Sequence, residues 1–238
     1  LAAFFRPGNS RNPLNQALDW KSLRLNLVGG EPLLYRREVL RIANEARRLG
    51  FAVSIITNAS RLDDDVMGEL AGLLSVLGIS IDSADALRNQ QIGREDRHRH
   101  RLEPTALTRV IALGRQLNPA LRLKINTVVK RGVNESEIVR ICEHFRHTGI
   151  IPRFIEYMDV GTSNGWELDE VVPAAEIVAR IDARFALEEL PPAVPGETAR
   201  RWRYRDGAGE IGVISSVINT FSMRCFCIRL CTSSRDAF

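Results

Sequence analysis

The feature that most restricts what this chain can fold into is a repeated change of hydrophobic period. Beyond Trp20, Leu23, Leu25 and Leu27 alternate with Arg24 and Asn26 up to the pair Gly29-Gly30. Period two puts apolar side chains on one side of a strand, and the glycines end it. Val39, Leu40, Ile42, Ala43, Ala46 and Leu49 then recur at helical spacing before Gly50. That is one face of a helix with a glycine just past its end.

The exchange continues down the chain. Strands are expected over Ala52 to Thr57, Leu77 to Asp82, Leu121 to Val129 and Arg153 to Met158. Helices are expected around Asp64 to Leu74, Thr105 to Leu117 and Asn134 to Phe145. Asn134 is expected to cap the last of these, with Glu137 three positions on.

Strand and helix in regular turn predict an α/β fold: a parallel sheet with right-handed crossovers, open or curled into a full or partial barrel. Ligands of such sheets lie beyond the carboxyl ends of the strands. Those ends carry Gly29-Gly30-Glu31-Pro32, Thr57-Asn58, Ser80 to Ser83, Asn126-Thr127 and Glu156 to Met158. Leu1 to Asp19 shows no sustained period and reads as loop, and Pro191, Pro192 and Pro195 mark a second break. The expected division is therefore 1–19, 20–190 and 191–238.

Charge narrows the partners. The formal net charge is +4, with 33 basic residues scattered among 29 acidic ones, so no nucleic-acid-binding tract is expected. No apolar run approaches the ~18 residues that a membrane span needs, and no secretory pattern opens the chain. The expected location is the cytoplasm, with no membrane partner. Cys225, Cys227 and Cys231 crowd one short stretch apart from Cys142, a poor layout for a disulfide framework. A metal or cluster site and a set of inert thiols are equally open on spacing alone.

At a strand's carboxyl end, Gly-Gly-Glu-Pro combines backbone freedom with a carboxylate aimed at the site, suited to an ammonium group. Alone it is also an ordinary strand-to-helix turn. In company it says more. Gly29-Gly30-Glu31-Pro32-Leu33-Leu34, with Ser80-Ile81-Asp82-Ser83 two strands later, resembles the radical S-adenosylmethionine superfamily. The segments Lys124 to Asn134, Arg153 to Gly161, Asn164-Gly165-Trp166 and Ile211 to Val217 look like the GTP 3′,8-cyclases of molybdenum-cofactor synthesis. In the first half, Leu25 to Val28, Leu77 to Ser83 and Ile92-Gly93-Arg94 look more like viperin, a nucleoside triphosphate dehydratase.

The resemblance implies a partial (β/α)6-type barrel with a C-terminal extension, acting on GTP or another nucleoside triphosphate through a 5′-deoxyadenosyl radical. It implies that Gly29, Gly30, Glu31, Ser80 and Met158 line the S-adenosylmethionine site, that Lys124 and Arg229 meet the nucleotide, and that Cys225 ligates metal. The bland reading of Lys124 is a solvated strand-end cation. No residue is assigned a catalytic role, because the cofactor carries the chemistry.

The sequence departs from the family in two places. The family binds an auxiliary 4Fe–4S cluster through Cys-x-x-Cys and a later Cys, whereas Ser222 stands where the first is expected and Cys227 takes an arginine's position. Serine lacks the soft thiolate that iron clusters take. The family also binds its reducing 4Fe–4S cluster through a three-cysteine loop after the first strand, and no cysteine precedes Cys142. The first strand is therefore expected to be missing, leaving the strand ending at Val28 as a bare edge. The alternatives are a viperin-like dehydratase and a noncatalytic remnant that binds nucleotide or S-adenosylmethionine without turnover.

Overall fold

The computed structural model describes residues 24–83, 104–158, 167–193, 197–215 and 225–229. The expected alternation is present. Strand β1 spans Arg24–Val28, β2 Ala52–Thr57, β3 Val76–Ser80, β4 Arg122–Val129 and β5 Ile151–Glu156. Between them lie helices α1 (Arg36–Arg48), α2 (Asp64–Leu70), α3 (Pro104–Leu117) and α4 (Glu137–Phe145). After β5 come α5 (Ala174–Asp182), β6 (Leu187–Leu190), β7 (Arg200–Tyr204), β8 (Glu210–Ile214) and β9 (Cys225–Arg229).

All nine strands form one open sheet in the order β6-β7-β8-β5-β4-β3-β2-β1-β9. From β9 through β8 every neighbour is parallel, and only the β8–β7 and β7–β6 pairs at the far edge are antiparallel. Spatial order follows chain order from β1 to β5, so right-handed crossovers place the connecting helices on one face. That face is the core. Leu25, Leu27, Val53, Ile55, Leu77, Ile79, Leu123, Ile125 and Phe154 point into it, with Val39, Ala43, Met67, Ile138 and Ile141 packed against them. The alternate positions, Arg24, Asn26, Ser54, Gly78, Ser80, Lys124, Asn126 and Arg153, belong to the opposite, polar face.

Local chemistry explains most boundaries. Asp63 accepts from the Val66 amide and starts α2. Gly50, at φ 88°, ends α1 with Phe51 N bonded back to Ala46 O and Gly50 N to Arg47 O.

Two expectations are corrected. Asn134 does not cap α4, which begins only at Glu137 after a run of turns around Gly132 at φ 75°. Its side chain instead accepts from the Lys130 amide and donates to the carbonyls of Asp82 and Val128. The bare edge on β1 is also absent: β9 pairs with it in parallel, Arg24 opposite Cys225 through Val28 opposite Arg229.

Candidate functional site

Three of the expected cofactor-binding segments lie at the carboxyl ends of β1, β3 and β5. Gly29 and Gly30 leave β1 at φ 94° and 52°, a left-handed path that a side chain would strain. Glu31 follows, buried. Its Oε1 accepts from Leu33 N at 3.0 Å and Thr57 Oγ1 at 2.6 Å, and its Oε2 from Asn58 N at 2.7 Å. An ionised carboxylate has about four lone-pair sites, and three are taken. The side chain is thus a staple between the loops after β1 and β2, with little left for an ammonium group.

The loop after β3 is held as firmly. Ile81 N donates to Asn126 O at 3.0 Å, and Thr127 Oγ1 donates to Ile81 O at 2.6 Å. Val128 N reaches Asp82 Oδ1, and Ser83 Oγ donates to the fully buried Glu137 at 2.7 Å. This lacing fixes where Ser80 stands. After β5, Tyr157 and Met158 are half-buried at the same rim, with the Lys130 ammonium 4.8 Å from the Tyr157 ring and 2.8 Å from Glu170. Glu156, given no chemistry from sequence, accepts from Ala174 N at the start of α5.

Lys124 lies elsewhere. It shares the polar face with Ser80 but sits near the amino end of β4, level with Gly78 and with Ile151, the first residue of β5. Only 8% of it is exposed. Around it stand Arg122, Arg153 and Arg24, three guanidiniums that sequence analysis left without a role. The clue was legible in part: Arg122 and Lys124 are two apart on one strand and must share a face. Arg153 comes from the adjacent strand β5 and Arg24 from the more distant β1, and only the strand order brings them in.

The electrostatics of this cluster are unusual. Among the described residues, the side chains of Arg24, Arg122, Lys124 and Arg153 form no hydrogen bond and have no carboxylate within ion-pair distance, and the buried Nε of Arg24 has no partner. Burial, then Arg153, Arg122 and Arg24, pull the Lys124 ammonium down to about 7, while Glu197 opposes them. Burial likewise lowers Arg153, against the pull of Glu197. Glu197 and Glu210 also line the cavity over the cluster, but Glu210 is already paired with Arg201 at 2.7 Å. Lys124 is the buried one of the four, and a buried cation without a counter-ion is costly and marks a place where an anion binds.

The remaining expected residues lie on β9. Cys225 is level with Arg24 at the amino end of β1, and Arg229 with Val28 at the rim. Among the described residues, no group of three or more His, Cys, Asp or Glu side chains is placed to hold a metal. Cys142 is buried on the core face, where burial first pushes its thiol up to about 12. A thiol so placed is no iron ligand, so the described residues do not fit a 4Fe–4S cluster.

Comparison with known proteins gives the family. A model of the radical S-adenosylmethionine superfamily matches residues 12–145, more than half the chain. The chain belongs to that superfamily. A second model, described as Molybdenum Cofactor Synthesis C, matches residues 150–235. This superfamily member is similar to curated proteins named GTP 3′,8-cyclase. It is 52% identical to that of Acidothermus cellulolyticus over 108 residues, 45% of this chain and 30% of the relative. It is 38% identical to that of a Synechococcus species over 233 residues, 90% of this chain and 65% of the relative. A third, from Xanthomonas axonopodis pv. citri, is 39% identical over 204 residues, 85% of this chain and 59% of the relative. The chain thus spans less than two thirds of these relatives. The two longer alignments take in most of the first half, so the cyclase likeness is not confined to the second. Among the described residues no helix is long and apolar enough to cross a membrane.

Proposed function

We propose that this chain is the nucleotide-holding part of a GTP 3′,8-cyclase and that the triphosphate of GTP lies across Arg24, Arg122, Lys124 and Arg153. One observation carries the reading: Arg122, Lys124 and Arg153 line one cavity on the polar face, Arg24 is close enough to act on Lys124, and among the described residues none of these four cations is in an ion pair. A triphosphate supplies several charged oxygens in a row, and both guanidinium forks and an ammonium bond such oxygens strongly. The likeness to proteins named GTP 3′,8-cyclase supports the choice of nucleotide. No observation favours the dehydratase alternative.

The S-adenosylmethionine site is assigned to the rim above the cluster, to the turned backbone of Gly29 and Gly30 together with Ser80 and Met158 at the other strand ends. When bound, with a reducing cluster, S-adenosylmethionine supplies the hydrogen abstraction that opens the reaction. The chain's own residues bind, orient and shield. Lys124 and the arginines fix the phosphate end, and the hydrogen-bonded loop Ile81 to Ser83 keeps Ser80 in place. Arg229, at the rim on β9, is assigned to the nucleotide as a second contact. Because the described residues hold no cluster ligands, no electron-transfer step is assigned to them.

Calorimetric titration with GTP and with tripolyphosphate tests this. A hydrogen bond to a charged group contributes about 1.5–3 kcal/mol, so Lys124→Ala is expected to weaken both ligands by roughly ten- to a hundred-fold. Parent and variant binding equally well would overturn the assignment.

A further inference from the structure

One amide on the polar face has no part in holding the fold together. Asn126 is 7% exposed, and its Oδ1 is sealed from solvent without a hydrogen-bond partner among the described residues. Its position is not accidental. Asn126 Nδ2 lies 3.0 Å from where a Cβ on Gly78 would stand, beside Ile56, so the glycine makes the room that the carboxamide fills. A buried acceptor without a donor is destabilising, and an apolar side chain of similar volume would relieve it. A polar group kept dry and unpaired in this way points to a donor on a ligand.

Its place along the face says which part of the ligand. Asn126 is level with Ser80 on β3 and Arg153 on β5. It is two residues beyond Lys124 on the same strand, about 6.6 Å further toward the rim at the usual rise. Along the face, therefore, Arg122 and Lys124 come before Asn126, Arg153 and Ser80 flank it, and Met158 lies beyond it. In a nucleoside triphosphate the group after the phosphates is the pentose, whose free hydroxyls are donors.

Resting on the triphosphate reading above, we propose that Asn126 reads the sugar: its Oδ1 accepts a hydrogen bond from a pentose hydroxyl of the bound nucleotide, so that the site selects ribonucleotides over deoxyribonucleotides. A site built to pair a hydroxyl rejects the analogue that lacks it, because the buried acceptor is then left alone. No other donor is provided by the described residues.

The test is a set of calorimetric titrations of the full chain and of Asn126→Ala and Asn126→Leu with five ligands: GTP, 2′-deoxyGTP, 3′-deoxyGTP, tripolyphosphate and S-adenosylmethionine. The parent is expected to bind GTP roughly ten- to a hundred-fold more tightly than one of the two deoxynucleotides. Both variants are expected to lose that preference by weakening GTP alone, with tripolyphosphate and S-adenosylmethionine unchanged. Thermal melting separates this from a structural role, since Asn126→Leu should melt no lower than the parent. Discrimination that is absent in the parent, or that persists in both variants, would overturn the proposal. So would a loss that falls on S-adenosylmethionine, whose ribose would then be the donor. If tripolyphosphate binds neither parent nor variants, the triphosphate reading itself fails, and that result is distinct from binding without sugar preference.

Discussion

Raising the pH from 7 to 9 should make the ligand-free protein harder to unfold, and Lys124 should be responsible. Burial and the three neighbouring guanidiniums hold its ammonium at about 7, against an ordinary value of 10.5. Between those values the unfolded chain carries a proton at this residue that the folded chain has released. Stability therefore rises with pH across that window and is independent of this group below and above it. The slope is at most about 1.4 kcal/mol per pH unit, so two units give at most about 2.7 kcal/mol. Relaxation and water penetration soften the effect of burial, which makes about half of that the working figure. Lys124→Met keeps the stem and removes the charge, so its own pH response cancels every other titrating group. In denaturant titrations at both pH values, the parent should gain about 1–2 kcal/mol more than the variant. Saturating tripolyphosphate sets anions against the ammonium and should erase the difference. Equal pH responses of the two ligand-free proteins would refute the idea that Lys124 is held neutral among the arginines.

Three further outcomes follow from the geometry. Glu31→Ala leaves the amides of Leu33 and Asn58 and the hydroxyl of Thr57 without their acceptor, and should cost roughly 2–4 kcal/mol by chemical denaturation. Asn134→Ala unties the Lys130 amide and the Asp82 and Val128 carbonyls, and should cost about 1–3 kcal/mol together with faster amide exchange at Lys130. With its thiol at about 12, Cys142 should resist iodoacetamide at pH 8 in the native protein and react once it is unfolded, as peptide mass spectrometry would show.

Much of the fold was legible because its periods are clean. Leu25 and Leu27 or Ala43 and Ala46 declare their element from local spacing, and sequential parallel strands follow from the alternation. The start of α4 was misjudged because Asn134 and Glu137 have the spacing of a cap, while the turn at Gly132 postpones the helix and spends the Asn134 side chain on β4 and the loop after β3. The rim was readable from motifs at strand ends, although the Glu31 carboxylate turned out to be occupied by backbone and hydroxyl donors. The cation cluster was mostly hidden. Arg24, Lys124 and Arg153 are far apart in the chain, and nothing local shows that three strands bring them near one another without an ion pair among the described residues. Asn126 was harder still, because an orphaned acceptor is a property of its surroundings and not of its residue type.

The pairing of β9 with β1 bears on how the protein is made. Arg24 finds its partner in Cys225, a contact of very high sequence separation whose loop-closure cost delays it. During synthesis the hydrogen-bonding groups along Arg24 to Val28 wait open while the middle of the sheet assembles, an interval in which strands of neighbouring nascent chains can join instead.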